Sequence, residues 1–272
     1  MRERLSVGGL TVAFIVVQWA GRSDLNGTEW RYFSPILSTQ TKAASTRELE
    51  TVLARVCQTP IRNVVGVGET CTTRGLSSGF SDITDRMFHP KGVIFGHFLG
   101  PESDDAAVSG WSAETHPYLW GGTLLLNKRS GSWVPLWYRS ALIVDACERV
   151  ALPDQREILL CENEDSGMGH ALHFLYVVDF AHPTKLNDSL LAKADSFTDD
   201  CVKQTQVLKD LRWREDRKAF SVQLDTTVWT RVSTEPYCSN YPKSRPASHR
   251  LTFVVTSRGF RNVGTTKPAD KQ

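Results

Sequence analysis

The sequence predicts a mainly β protein: an antiparallel meander, propeller-like or sandwich in arrangement, with one or two short packing helices. Between residues 91 and 180, apolar runs of strand length alternate with acidic, glycine-containing turns. Farther along, Phe220, Val222 and Leu224 alternate with polar residues, the pattern of a strand with one buried face. Two other segments carry apolar residues at helical spacing, which predicts the helices.

Composition places the chain among folded globular proteins. It has 272 residues, 40% hydrophobic and 23% charged, enough to bury a sizeable core. The net charge of +2 is small and the basic residues are scattered among acids, so we expect no nucleic-acid partner.

The first 20 residues have the layout of a signal peptide or a short anchor. Arg2 and Arg4 precede an apolar run from Leu5 to Val17, and Ala20 suits the last signal position. The run is shorter than the roughly 20 residues that a spanning helix needs. The alternative is a buried N-terminal strand or helix. We therefore expect a secreted, periplasmic or extracellular protein that meets a membrane only through an uncleaved N-terminal segment.

Six cysteines form an even set, which together with an export signal indicates disulfides. Six cysteines allow fifteen connectivities. Equal spacing of 14 residues favours local pairing of Cys57 with Cys71 and of Cys147 with Cys161. The remaining pair would be Cys201 with Cys238.

The predicted elements begin in a lead-in at residues 21–90. Ser45 and Glu48 form a capping box, and apolar residues at i, i+3, i+4 and i+7 predict an amphipathic helix over 45–57. A β domain follows over 91–263, with turns at Ser130-Gly131 and at Pro153, and an edge position for Pro135. A second helix is predicted over 189–202 and a flexible tail over 264–272. The predicted strands are 93–99, 106–110, 122–128, 132–138, 158–161, 171–180, 220–224, 228–232 and 251–255.

Three stretches share a weak repeat of about 50 residues: an apolar segment, an acidic turn, another apolar segment, a polar loop and a strand. They are residues 93–128, 149–180 and 207–255, with turns centred on Asp105, Asp154 and Asp216. Such a period is typical of propeller blades or related sheet arrays. Any β meander can also show this spacing by chance.

The segment 94–108, Ile94-Phe-Gly-His-Phe-Leu-Gly-Pro-Glu-Ser-Asp-Asp-Ala-Ala-Val, resembles the opening of an FG-GAP or VCBS-type β-propeller blade. The resemblance implies a propeller fold and a calcium loop of alternating acids. His97 stands where the family has Asp, and the loop carries Glu102 and Asp104 without the full alternation.

Polar and aromatic residues of the 97–116 region form the predicted ligand site. Asp105 and Glu114 could act as a general acid and base if their carboxylates face each other across a cleft, and the tryptophans could stack on a sugar. The predicted site residues are His97, Asp104, Asp105, Trp111, Glu114, His116 and Trp120.

A calcium ion is the cofactor that the sequence allows. Glu162, Glu164 and Asp165 supply oxygen ligands in an acidic loop over 162–170, with Gly167 after them. The alternative is a solvated hairpin loop.

The function predicted from these features is that of an exported, non-catalytic binding or structural module whose partner is an unidentified protein or glycan. The alternative is a secreted hydrolase, for example one acting on glycans, that uses acids and histidines of the 97–116 and 162–170 loops. A third hypothesis is a calcium-stabilised adhesion module.

Overall fold

The computed structural model describes residues 23–24, 27–28, 36–43, 45–64, 68–72, 87–112, 121–140, 142, 144, 146–167, 170–182, 190–198, 202–230 and 247–266. This part of the chain is mainly β, as predicted, and its strands form two large antiparallel sheets beside one small pair. The small pair joins β1 (Ser23–Asp24) to β2 (Gly27–Thr28). Over these ranges, no helix is long and apolar enough to cross a membrane.

The first large sheet has seven strands, and its central strand is β6. Both β5 and β3 pair with one edge of β6, β5 near its start and β3 near its end, while β7 pairs with the other edge. The lead-in is therefore hydrogen-bonded into the sheet. The strands are β3 (Lys42–Ala43), β4 (Arg62–Val64), β5 (Gly68–Thr72), β6 (Met87–Gly96), β7 (Asp105–Ser112), β8 (Gly121–Arg129) and β9 (Ser132–Ser140).

The second large sheet has eight strands, and each pairs with the next one along the chain. This order confirms the predicted meander. The second and third stretches of the weak repeat both lie in this continuous sheet. Its strands are β10 (Cys147–Ala151), β11 (Glu157–Gly167), β12 (His170–Val178), β13 (Leu190–Thr198), β14 (Val202–Trp213), β15 (Ala219–Thr230), β16 (Ala247–Thr256) and β17 (Gly259–Thr266).

The two sheets pack face to face around a shared core, the arrangement of a sandwich. Ile94, Ala107 and Leu125 from the first sheet meet Leu159 and Cys161 from the second. Because side chains alternate along a strand, the neighbouring residues on β11 point to the opposite face.

The opposite face of each sheet is also covered. Helix α1 (Thr46–Leu53) buries Leu49, Val52 and Leu53 against the first sheet, and the predicted capping box at Ser45 and Glu48 is present. On the second sheet, Ile158 and Leu160 of β11 pack in one cluster with aromatic and aliphatic residues of β15 and β16, which are Phe220, Val222 and Phe253. The last strands thus fold back over β11.

A segment of the lead-in, residues 36–43, links the two sheets. The Gln40 amide donates to the Cys147 carbonyl at 2.8 Å, and the Arg149 amide donates to Gln40 Oε1 at 2.9 Å. A few residues later, Lys42 and Ala43 pair with β6. We call this segment the strap.

The second helix predicted over 189–202 is wrong. The structure has strand β13 there, and β14 begins at Val202. Ala192 and Ala194 are buried at a spacing of two, and β13 pairs along most of its length with β12. Tertiary pairing therefore overrides a helical spacing that includes good helix formers such as Leu191, Ala192 and Lys193.

Two smaller predictions also need correction. The acidic loop over 162–170 is largely strand, because β11 continues to Gly167 and β12 begins at His170. Residues 264–266 of the predicted tail belong instead to β17, which extends to Thr266. Pro135 does lie on β9, the strand that ends the first sheet in the described part of the chain.

Two of the three predicted disulfides are confirmed. Cys57 is bonded to Cys71 of β5, and Cys147 is bonded to Cys161, its directly opposite residue on β11. Cys201 and Cys238 lie outside the described residues, so their pairing stays a prediction. Two disulfides indicate that the chain folds in an oxidising compartment.

We expect the two disulfides to differ in their contribution to stability although each closes the same separation of 14 residues. Chain entropy alone gives about 3 kcal/mol for either loop. The double variant Cys147→Ala with Cys161→Ala should lose more, because both sulfurs lie in the core between the sheets. Urea unfolding of this variant and of Cys57→Ala with Cys71→Ala measures the difference in unfolding free energy. An equal or smaller loss of unfolding free energy in the Cys147 and Cys161 variant would contradict this account.

Candidate functional site

Asp105, a predicted ligand residue, is buried and holds the β6–β7 turn together. Its side chain accepts from the Leu99 amide at 2.9 Å, from Ser103 Oγ at 2.6 Å and from Asn127 Nδ2 at 2.8 Å. The residue is 1% exposed. These three donors occupy both carboxylate oxygens, so in this conformation the Asp105 carboxylate stabilises the turn.

Asp104 and His97 flank the same turn. Asp104 is exposed, and its carbonyl accepts from the Lys128 amide at 2.8 Å. His97 Nδ1 donates to the Ser103 carbonyl at 2.6 Å. The described residues of the predicted site therefore gather at one turn, but Asp105 alone turns its carboxylate inward.

Glu157 at the start of β11 connects this turn to the second sheet. Its Oε2 accepts from the His97 amide at 2.8 Å, and its own amide donates to the His97 carbonyl at 2.9 Å. The contact is close: a Cβ at position 96 would lie 2.6 Å from Glu157 Oε2, so a larger residue there would displace neighbouring side chains. Glu157 is not among the site residues predicted from the sequence.

The other predicted residues of this site cannot be placed with the turn. Trp111 lies on β7, where its backbone pairs with Gly121, and its side chain is outside the described part. Glu114, His116 and Trp120 also lie outside the described residues. Their participation stays a prediction.

The three residues of the predicted calcium loop lie on strand β11. Glu162 and Glu164 share one face and Asp165 takes the other, because strand side chains alternate. Glu162 is buried; its Oε2 accepts from the Ile36 amide of the strap at 2.9 Å and lies 3.6 Å from Nε2 of buried His173. A shared ion would need β11 to leave its strand conformation here.

The turn and the β11 acids are well separated. Glu157 touches His97, and Glu162 follows five residues later on the same extended strand, about 17 Å away. Within the residues that the structure describes, no group of three or more His, Cys, Asp or Glu could hold a metal ion.

A polar network that the sequence analysis missed covers the outward face of β14, β15 and β16. Asp225 accepts from Ser248 Oγ at 2.6 Å and from Gln223 Nε2 at 2.8 Å, and it forms an ion pair with Lys209. Burial would raise the pKa of Asp225, but the hydrogen bonds from Lys209, Ser248 and Gln223 lower it on balance. Asp225 therefore stays ionised within the network.

Arg250 continues the network across the strands. Its Nη1 donates to Ser221 Oγ at 3.1 Å, and its Nη2 donates to Gln223 Oε1 at 3.0 Å. We call this set the polar ladder; its members are Lys209, Asp210, Arg212, Ser221, Gln223, Asp225, Ser248 and Arg250. The signal in the sequence was the polar half of the alternation whose apolar half predicted β15.

A bulge in β14 places Asp210 in the polar ladder. Lys209 pairs with Gln223 and Arg212 with Ser221, so two residues of β14 stand opposite Val222 alone. Asp210 has a φ of 52°, a left-handed conformation that few residues other than glycine adopt. Its Oδ2 lies 3.3 Å from Arg212 Nη2. Strained backbone of this kind concentrates at functional sites.

Comparison of the chain with protein-family models, with curated proteins and with solved structures gives no match.

Replacing Asp105 and Asp104 separately tests the role of the β6–β7 turn. We expect Asp105→Asn to lower the free energy of unfolding by about 2 kcal/mol, because the amide turns a donor toward groups that also donate. Asp104→Asn should change stability by less than about 0.5 kcal/mol, since its side chain is exposed. Urea titration with and without calcium is the measurement. A large calcium-dependent loss in Asp104→Asn would instead support an ion at this turn.

The contact between β6 and Glu157 predicts unequal effects at two glycines. Gly96→Ala should destabilise the protein by about 1–3 kcal/mol, because the added carbon meets Glu157 Oε2 and the Phe98 ring. Gly100→Ala is the matched control, since nothing lies within 4 Å of its Cβ position. Thermal unfolding of both variants compares them; similar melting temperatures would mean that the two sheets do not approach as closely as described.

Proposed function

We propose that the chain is an exported, non-catalytic binding module that presents the polar ladder to a glycan or protein partner. The observation that carries the proposal is the ladder itself. Eight hydrogen-bonding side chains lie on one accessible sheet face. Cross-strand hydrogen bonds hold five of them in place: Ser221, Gln223, Asp225, Ser248 and Arg250. A ligand that binds there loses little affinity to side-chain ordering, because the side chains are already fixed.

The burial and the hydrogen bonds of Asp105 and Glu162 favour a binding function over hydrolysis. A glycosidase needs two carboxyl groups facing each other within about 10 Å, with room for a substrate. Asp105 and Glu162 are buried in contacts with the backbone of the turn and the strap. The geometry gives each of them a structural task, whereas the residues of the polar ladder are partly exposed.

Export is supported by the disulfides and by the layout of residues 1–20. Cys147 and Cys161 are fully buried at the centre of the fold, so their bond must form as the sheets assemble. A compartment that oxidises thiols provides for this step.

The proposal predicts an exported protein without free thiols or glycan-cleaving activity. Expressed with its own N-terminus, the protein should be found outside the cytoplasm, and an alkylating probe should leave its six cysteines unmodified until a reductant is added. Incubation with soluble glycans should release no new reducing ends. Release of reducing ends that Glu114→Gln abolishes would favour the hydrolase instead, and modification of all six thiols without reduction would contradict export.

A further inference from the structure

Arg250 is the best-positioned cation of the polar ladder. Its side chain is 25% exposed, and two neutral oxygens, on Ser221 and Gln223, fix its guanidinium. The carboxylate within 4 Å of it in the described part of the chain is Asp210, whose Oδ2 is 3.9 Å away and lies closer to Arg212. Two guanidinium groups therefore share one carboxylate, which leaves a local excess of positive charge.

Further basic residues extend this excess along the sheet. The register aligns Arg214, Ala219, Val254 and Arg261 in a row across the four last strands. Arg261 is exposed and has no ion-pair partner among the described residues. Over 202–230 and 247–266 the chain carries nine Lys and Arg against four Asp and Glu, while the whole chain is nearly balanced. The basic charge is thus concentrated in the last four strands, which carry the polar ladder.

The existing ion pairs do not cancel this positive field. Arg212 and its partner Asp210 are both largely exposed, as are Arg214 and Asp216. Exposed pairs of this kind contribute little and exchange readily with other partners. An incoming acidic group could therefore take their place at low cost.

We propose that the polar ladder binds an acidic polysaccharide. The Arg250 guanidinium binds a uronate carboxylate, and Arg212 and Arg261 attract the neighbouring acid groups. This assignment rests on the proposed function and names its ligand class. A guanidinium matches a carboxylate through two parallel hydrogen bonds, a geometry that lysine cannot reproduce.

A polysaccharide fits the ladder better than other polyanions do. Neutral donors and acceptors on Ser221, Gln223 and Ser248 alternate with the cations, as hydroxyls alternate with carboxylates along a uronate chain. Stable binding to a lipid surface draws on buried apolar side chains as well as on charge, whereas the members of the ladder are all polar. An acidic peptide is more flexible than a uronate chain, so it loses more conformational entropy when it is fixed on the ladder.

Polygalacturonate is the probe for this inference, measured by titration calorimetry with the full protein. Arg250→Gln should weaken binding about tenfold, which corresponds to about 1.4 kcal/mol. Arg250→Lys should recover only part of the loss, because it restores the charge without the planar fork. Arg129→Gln is the matched control: Arg129 is an exposed arginine of the first sheet whose Nε also donates to a side-chain amide oxygen, on Asn127. It should bind like the native protein.

Three outcomes would overturn the inference. The native protein would fail to bind polygalacturonate, Arg250→Gln and Arg129→Gln would lose equal affinity, or the native protein would bind fully methyl-esterified polymer as tightly as the free acid. Equal or tighter binding of poly-glutamate or of phosphatidylglycerol vesicles would assign the face to a different partner. If Arg250→Gln unfolds, Arg212→Gln at an exposed position gives the same test, with a loss of about threefold expected.

The failure of this inference can be told apart from failure of the proposed function. Binding that persists in every ladder variant leaves a binding module that uses another face. Release of new reducing ends from polygalacturonate would show that the protein cleaves the polymer, which would contradict the proposed non-catalytic function.

Discussion

Burial of strand β11 on both faces is the constraint on which the rest of the structure depends. Ile158 and Leu160 enter the core beneath the last strands, while Leu159 and Cys161 enter the core between the sheets. Full burial of each such side chain contributes about 2 kcal/mol. Two acids of the same strand bind other parts of the molecule: Glu157 at its start holds the β6–β7 turn, and Glu162 at its middle holds the strap. One strand therefore joins both sheets and the lead-in.

This arrangement separates structural acids from accessible ones. A carboxylate next to a doubly buried strand is costly unless it accepts hydrogen bonds, so Glu157 and Glu162 are bound to backbone amides. The last four strands have a different environment, because one of their faces covers β11 and the other meets solvent. Polar residues that face outward there keep part of their contact with solvent, and cross-strand pairing sets them in fixed positions. The fold thus leaves the outer face of β14–β16 as an ordered polar surface that is partly open to solvent.

Short sequence patterns predicted those elements that depend on interactions between residues close together in the chain. The capping box at Ser45, the Ser130-Gly131 turn with both residues at positive φ, and the paired cysteines at equal spacing all act over a few residues. The error at β13 arose where pairing with β12 decides the conformation, which no window of sequence contains. The roles of the acids could not be predicted for the same reason. Their positions in the chain can be read from the sequence, but whether a carboxylate meets an amide or solvent depends on strands far away in sequence.

The polar ladder shows why alternation has to be interpreted on both faces of a strand. Phe220, Val222 and Leu224 identify the buried face of β15, and Ser221, Gln223 and Asp225 occupy the other. On an antiparallel sheet, cross-strand hydrogen bonds and opposite-charge pairs contribute roughly 0.2–1 kcal/mol each. Here Arg250, Gln223, Asp225 and Ser248 are joined in one hydrogen-bonded series, and a bulge at left-handed Asp210 brings a further carboxylate to it. Order of this kind fixes the side chains before any ligand arrives, which is the property on which the proposed binding function rests.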